Sequence, residues 1–358
     1  MNKKLLTVIV PSYNMEKYLR ACLGSVLDGN GMADRLDVIV VNDGSRDGTS
    51  AIAHEIEAAH PGIVRVIDKE NGNYGSCVNA GLREAQGLYV KILDADDSFD
   101  TPAFERYLRF LDGLAGESAP DVVFNDFAEV DPDGNVLKRH DYALVDEPDF
   151  TLARFDHHGD RCVWMHALAY RTEFLRIIGY RQTEGIFYTD QEWDMIPLAQ
   201  ARTLHHASEE VYRYLVGRAG QSTDTTVRCR HFGMHFIVAK RIIRFYVEHQ
   251  DDFSSGARAM LESQIQDHFI MFYFNYLVEN RTRLDRAEIE DFDAFLAKTA
   301  PELHRFAGTL GFSGRFCHCP YVRQWRERGR ISRVFLILFD ATRFAKRILS
   351  AFGWRCET

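Results

Sequence analysis

The chain is 358 residues long, with 46 % apolar and 27 % charged residues, a composition that suits a folded globular protein without repeats or low-complexity stretches. Its formal net charge of −9 argues against a general nucleic-acid binder, which needs a basic surface to neutralise phosphates. Seven scattered cysteines, an odd number, fit reduced thiols better than a disulfide framework, and no secretory signal or bilayer-length apolar run is legible, so a cytoplasmic location is expected.

Leu5–Val10 is a β-branched apolar run closed by Pro11, which cannot donate to a sheet, and it predicts the first strand. Glu16–Leu27 carries Leu19, Leu23, Val26 and Leu27 at helical spacing, and Asp37–Val41 resumes the strand pattern before Asn42-Asp43-Gly44-Ser45. Thr49–Ala59 reads as a helix, Ile63–Ile67 as a strand, Ser76–Ala85 as a helix and Tyr89–Leu93 as a strand. Such alternation implies βαβ crossovers and a largely parallel sheet, whose ligand sits outside the carboxyl ends of the strands. The polar segments Pro11–Asn14, Asn42–Ser45, Asn71–Gly75 and Asp94–Asp97 each follow a predicted strand and should converge on one cleft.

Asp121–Phe127 predicts a further strand, and Asp131–Asn135 a tight turn between antiparallel strands. From about His231 the pattern turns helical, with His231–His249, Ala257–Glu279 and Arg286–Ala300 as helices and a break at Pro301. The expected organisation is an α/β domain over residues 1–225 and an α-helical region over residues 226–358. The tail from Arg315 onward holds roughly ten Lys and Arg against about three acids. Within it, residues 331–354 mix Phe335, Leu338, Phe339, Phe344 and Ile348 with Arg333, Arg343 and Arg347. Two readings compete there: an interfacial helix on anionic lipid, and a helix packed on the core with snorkelling basic side chains.

The strongest chemical signal is Leu93-Asp94-Ala95-Asp96-Asp97. Carboxylates this close repel one another, and a cation or solvent must compensate. Hard oxygens without neighbouring His or Cys favour Mg2+ or Mn2+, which bind through one or two carboxylates plus phosphate oxygens. A solvated acidic turn is the plain alternative. Asp43 ends a strand, and Gly44–Thr49 and Asn71–Gly81 are glycine-bearing entries to helices whose amino ends favour anions. Capping alone explains Asp43 equally well. Cys317-His318-Cys319 lacks the spacing of a zinc site, and His157-His158 and His205-His206 read as surface or inner-layer residues. Neither a nucleophile elbow nor a phosphate-loop lysine is present.

Together these stretches resemble the family-two glycosyltransferases, the inverting group with a GT-A, Rossmann-like nucleotide-sugar-binding fold. Val8–Asn14 looks like that family's first strand and Val40–Thr49 its second; Asn71, Gly75, Asn79 and Gly81 match its spaced Asn/Gly pattern, and Leu93–Asp97 its aspartate signature. The resemblance implies that Pro11, Tyr13 and Asp43 shape a base pocket, most often for uracil, and that Asn71 and Gly75 border the nucleotide. It implies that Asp94 meets ribose or sugar hydroxyls, and that Asp96, assisted by Asp97, holds Mn2+ or Mg2+. The family's catalytic base would be Asp190, in Ile186–Trp193, with Thr189 where a Glu is common and Glu192 in reserve. A bare helix-start carboxylate is the competing role for Asp190.

Val211–Tyr214 and Arg218–Ser222 are similar to segments of bacterial cell-surface polysaccharide members. By that likeness Arg213 or Arg218 faces the diphosphate, surface ion pairing being the other role. Trp164-Met165-His166 is read separately as lining an acceptor pocket, with buried aromatic packing an equal explanation for Trp164. The implied partners are a nucleotide-sugar donor, UDP-sugar favoured, and a glycan or lipid-linked acceptor. The rivals are a nucleotidyltransferase, whose glycine-rich triphosphate loop is missing from Pro11–Tyr18, and a non-catalytic sugar-binding scaffold.

Overall fold

The computed structural model describes residues 3–116, 119–142, 163–218, 225–314 and 317–351. His157, His158, Gln221, Ser222 and Trp354 lie outside the described residues, as do the side chains of Cys317, His318, Arg343, Phe344, Arg347 and Ile348. Two compact units divide the chain, Met1–Glu262 and Ser263–Thr358.

In the first unit the predicted alternation is realised as β1 (Leu6–Ser12), α1 (Leu19–Leu27), β2 (Leu36–Asn42), α2 (Thr49–Ala59), β3 (Val64–Asp68), α3 (Asn73–Glu84) and β4 (Tyr89–Ile92). β1 pairs in parallel with β2 and β4, and β2 with β3. Every residue of β1 and β2 is buried, which explains their continuous apolar runs. β1 runs past Pro11, whose register partner is Val41, whereas its pairing with β4 ends at Ile9. The carbonyl of Ile9 faces β4, so the N–H that Pro11 lacks would have pointed beyond that strand's end.

β5 (Ser98–Phe99), α4 (Thr101–Gly113), β6 (Val122–Val130), β7 (Val136–His140), β8 (Leu168–Arg171), α5 (Thr172–Ile177), α6 (Asp190–Gln200), β9 (Leu204–Leu215), α7 (Thr225–His231) and α8 (Gly233–His249) come next. Among the described residues the strands form one sheet of order β3-β2-β1-β4-β8-β6-β9-β5, with β7 on β6. β8 runs antiparallel to β4 and β6, and β9 parallel to β6. The parallel half is the Rossmann-like α/β core expected of a GT-A domain. Its compact unit reaches Glu262, beyond the expected limit at residue 225, because α8 is tied by Arg241 to Glu192 of α6 and to the carbonyl of Arg181.

The second unit takes up the later part of α9 (Ser255–Phe274), a π turn at Asn275–Glu279, α10 (Arg286–Thr299), α11 (Pro301–Thr309), the hairpin β10 (Phe312–Gly314) and β11 (Cys317–Cys319), α12 (Tyr321–Arg328) and α13 (Arg333–Ala351). Its polar centre is Asp293, which accepts from Tyr273 and Arg326 and lies 3.3 Å from His304 Nε2. The Cys319 thiol lies 3.7 Å from Gln324 Oε1. On α13, Phe335 is buried against Phe312 and Phe339, while Val334, Ile337 and Leu338 are exposed. No helix among the described residues is long and apolar enough to cross a membrane.

Candidate active site

The cleft lies at the carboxyl ends of β2, β1 and β4. Asp43 follows β2, and its amide donates to the Ser12 carbonyl at 2.9 Å, which sets it beside Tyr13 at the end of β1. Tyr13 is 43 % exposed, Pro11 is buried beneath it in sequence, and Asp43 is buried. One oxygen of Asp43 accepts from Lys69 Nζ at 2.5 Å and from the Gly72 amide at 2.9 Å, while the Asn71 side-chain amide donates to the Asp43 carbonyl at 3.0 Å. Lys69 also reaches Ser76 Oγ at 2.8 Å. Asp43 is therefore a partnered carboxylate at the carboxyl end of β2, and Lys69, directly after β3, is a neighbour of the candidate site that the sequence reading missed. Its place at a strand's carboxyl end was the available signal.

The first turn of α3 links this end to the aspartates. Two residues past Gly72, the Tyr74 hydroxyl donates to Asp94 Oδ1 at 2.8 Å and lies 3.3 Å from Met165 Sδ. Gly75 is buried, and a Cβ there would stand 2.0 Å from the Thr183 carbonyl oxygen. Its close approach is thus to the segment preceding Asp190, a packing reason for the glycine expected to border the nucleotide. Asn79 clamps the same segment, donating to the Gln182 carbonyl at 2.9 Å and to Glu184 Oε1 at 2.8 Å, and the Gly185 amide donates to Gly72 O at 2.8 Å.

The three aspartates differ. Asp97 is buried with both oxygens engaged, one by the Tyr212 hydroxyl and one by the Leu215 amide, each at 2.7 Å. It fastens β9 to the turn rather than facing a ligand. Asp96 accepts from Arg218 Nε at 2.6 Å, and that guanidinium sits 5.2 Å from the Tyr18 ring centroid. Burial first, then the charge of Asp96, pushes the Asp94 carboxyl up to about 7. Arg213 instead pairs with Asp100 and Glu210, so of the two arginines only Arg218 reaches the aspartates.

This donor set suits a divalent ion. Asp94 and Asp96 offer hard oxygens whose proximity calls for a cation, and Arg218 supplies the positive charge here. Among the described residues no group of three or more His, Cys, Asp or Glu is placed to hold a metal ion.

Asp190 opens α6 and is partly exposed; burial pushes its carboxyl up, while the amides of Gln191 and Asp190 at the helix start pull the other way. Glu192, the reserve base, is fully buried, bound by the Thr183 amide at 2.8 Å, the Thr183 hydroxyl at 2.6 Å and Arg241. Its oxygens are committed to the fold, so the reserve role is withdrawn. Two residues along a helix turn a side chain by about 200°, which sends Glu192 inward where Asp190 faces the cleft. After burial, the charges of Asp97, Asp94, Asp190 and Asp96 all push the Tyr214 hydroxyl up, so carboxylates from two distant segments of the chain act on one phenol.

Trp164 is 39 % exposed, whereas Met165 and His166 are buried. His206 is also buried, 2.8 Å from Asp126. Lys91, buried on β4, donates to Asn125 Oδ1 at 2.7 Å and to the His166 carbonyl at 2.8 Å.

An α/β sheet with acids gathered at the carboxyl ends of its parallel strands has the architecture of a GT-A domain. Residues 7–180 match the model of the family described as glycosyl transferase family 2, and that region of the chain belongs to the family. The uncharacterized glycosyltransferase EpsJ of Bacillus subtilis is 27 % identical over 215 residues, 59 % of this chain and 60 % of that protein. Chondroitin synthase of Escherichia coli is 31 % identical over 155 residues, covering 43 % of this chain and 22 % of the synthase. The chain thus spans less than two thirds of the curated relatives it matches. The structure of S. aureus TarS 1–349 in complex with UDP-GlcNAc superposes with a TM-score of 0.62 at 20 % identity, covering 82 % of this chain and 80 % of that one, a likeness of fold.

Proposed function

We propose that the protein is an inverting glycosyltransferase that moves a sugar from a nucleotide-diphosphate donor, UDP-sugar favoured, to a hydroxyl of a glycan or lipid-linked acceptor in cell-surface polysaccharide synthesis. The observation that supports this reading is the hydrogen bond from the Tyr74 hydroxyl to Asp94, with the charge of Asp190 acting on both groups. The UDP-GlcNAc held by the TarS neighbour supports the choice of donor.

Tyr13 stacks on the base, Asp43 accepts its N–H, and Asn71 borders the nucleotide. Asp94 receives ribose or sugar hydroxyls. Asp96, beside Asp94, would hold Mn2+ or Mg2+, with Asp97 bracing the turn, and such an ion when bound neutralises charge on the departing diphosphate. Arg218, released from Asp96, offers a second positive charge to the same phosphates. Asp190 takes the proton from the acceptor hydroxyl as that oxygen bonds to the anomeric carbon from the face opposite the leaving group. The bond from that carbon to the diphosphate oxygen breaks, and the nucleoside diphosphate leaves with its electron pair. One displacement inverts the anomer.

On this reading Asp190→Asn cuts transfer by about 10²–10⁴-fold, the usual worth of a general base. Donor affinity, measured by titration calorimetry with UDP-GlcNAc, UDP-glucose and UDP-galactose in Mn2+, stays at the wild-type value. Transfer at the wild-type rate in that variant would overturn the base assignment, and pyrophosphate release from UTP plus a sugar phosphate would favour a nucleotidyltransferase. The exposed Val334, Ile337 and Leu338 beside Arg330 and Arg333 support peripheral contact of α13 with anionic lipid. Flotation with phosphatidylglycerol vesicles, with and without residues 331–358, tests that contact.

A further inference from the structure

Strand order gives the cleft a direction. The base end lies at β2 and β1, the aspartates follow β4, and the next strands across the sheet are β8, β6 and β9. Immediately before β8, and on the neighbouring β6, β7 and β9, the chain gathers rings. Tyr214 of β9 stacks on His166 with centroids 4.5 Å apart, and His166 lies 6.1 Å from Trp164. Behind them Phe127 and His140 stack at 4.2 Å with planes 4° apart, and His140 lies 6.2 Å from Trp164.

The inner end of this ladder reaches the aspartates: His166 lies 4.7 Å from the Tyr212 ring, whose hydroxyl donates to Asp97 at 2.7 Å and accepts from the Asp94 amide at 3.1 Å, and the charges of Asp94, Asp96, Asp97 and Asp190 act on Tyr214. The other end, Trp164, is 39 % exposed although Phe127, His140 and His166 beneath it are buried. A tryptophan backed by a fixed aromatic wall and open on its outer side is costly to leave in water and offers a flat apolar plate. The wall is rigid: the His166 carbonyl is held by Lys91, Met165 touches the Tyr74 hydroxyl, and the Trp164 amide donates to the Tyr142 hydroxyl at 3.4 Å. Burial, then the Lys91 charge, pushes His166 down to about 3, so the wall is uncharged at neutral pH.

Resting on the glycosyl-transfer reading, we infer that Trp164 is the acceptor platform, stacking the apolar face of a neutral pyranose ring while its hydroxyl is presented to Asp190. Placement past the aspartates, away from Tyr13 and Asp43, assigns Trp164 to the acceptor and not to the nucleotide. The acceptor class that fits is a glycan with a ring-shaped sugar at its growing end, rather than a linear polyol.

The test uses the full chain with UDP-GlcNAc, UDP-glucose and UDP-galactose as donors. Acceptors are methyl glycosides of common hexoses and of their β-1,4-linked disaccharides, with glycerol as the ringless control. Trp164→Ala should raise the acceptor KM about tenfold or more, the loss of one good aromatic contact, with UDP affinity by calorimetry unchanged. Trp164→Phe should recover most of that loss, and transfer to glycerol should respond to neither change. An acceptor KM unmoved in Trp164→Ala, or a UDP affinity that falls in step with it, overturns the platform while leaving the transferase reading intact. Absence of donor turnover in the wild type with every donor and acceptor sinks the transferase reading, and the platform with it.

Discussion

The imidazole of His235 lies flat on the ring of Tyr188, with centroids 3.8 Å apart, two residues before Asp190. Tyr188 has φ of 67°, a left-handed conformation that costs a non-glycine residue on the order of 1–3 kcal/mol. α8 thus holds a strained turn in place, and Gln191 Nε2 within 3.3 Å of His235 Nδ1 adds a second tie. His235→Ala should lower kcat about tenfold through a misplaced base, with UDP affinity unchanged, and His235→Phe should restore much of it. Equal kcat in the alanine variant, from steady-state kinetics, would show that the stack does not position Asp190.

Arg241 neutralises Glu192 inside the same unit. Because Glu192 is fully buried, Arg241→Ala strands a charge, and unfolding free energy should drop by about 2–4 kcal/mol, less than for a fully enclosed pair since Arg241 is partly exposed. The double variant Arg241→Ala, Glu192→Gln should regain part of this. Urea unfolding followed by circular dichroism measures both.

Gly75→Ala places a methyl group against a backbone carbonyl with no flexible end to yield. Expected is a loss on the order of 1–3 kcal/mol in stability. Turnover should fall further than donor affinity, because the displaced segment is the one leading to Asp190. A variant with full turnover and wild-type melting temperature would refute this packing.

Removing Arg218 leaves Asp96 without its cation. Arg218→Ala should bind Mn2+ more tightly than wild type when no nucleotide is present, by calorimetry, yet bind UDP in Mn2+ more weakly. Weaker ion binding in the variant would mean that the guanidinium does not compete for Asp96.

Two carboxylates on α6 set the pH behaviour. Burial raises Asp190, so the acid limb of kcat/KM should sit above the ordinary aspartate value of 3.8, with activity rising as pH climbs through it. Asp194, one turn on, is buried with Oδ1 unpartnered, and burial, then the Asp190 charge, raises it well above that value. A raised carboxyl lends stability that is full below the unfolded value and is lost as pH rises through the folded one. Asp194→Asn should therefore gain melting temperature over wild type as pH increases from 4 towards 8. A difference that shrinks with rising pH would contradict it.

How far the sequence could be read depended on the range of the contacts. Strands β1 to β4 and their polar ends were legible because apolar runs and turn residues are local signals, and Asp43, Asp94 and Asp96 were singled out through them, whereas Asp190 was named through the family resemblance. β9, with His205, Glu209 and Glu210 among its residues, has no clean alternation, and its pairing partner β6 lies some eighty positions earlier. Spacing along the chain also said nothing about which way a side chain turns. Glu192 stood in reserve behind Asp190, and its ties to Thr183 and to Arg241, 49 residues on, mark it as internal. The same long-range clamp places α7 and α8 with the first unit, whereas helical periodicity alone grouped them with α9 to α13.

The opening turn of α3 has a consequence for redesign. Gly72 supports Asp43, Tyr74 supports Asp94, and Gly75 with Asn79 carries the stretch before Asp190. On the proposed reading, recognition of the nucleobase and activation of the incoming alcohol are thus gauged from a single strut. Altering Lys69 to Ser76 to change donor preference would drag the proton acceptor along with it. Tyr13, exposed at the end of β1 and outside that strut, is the place where selectivity can be rewritten without dragging the proton acceptor along.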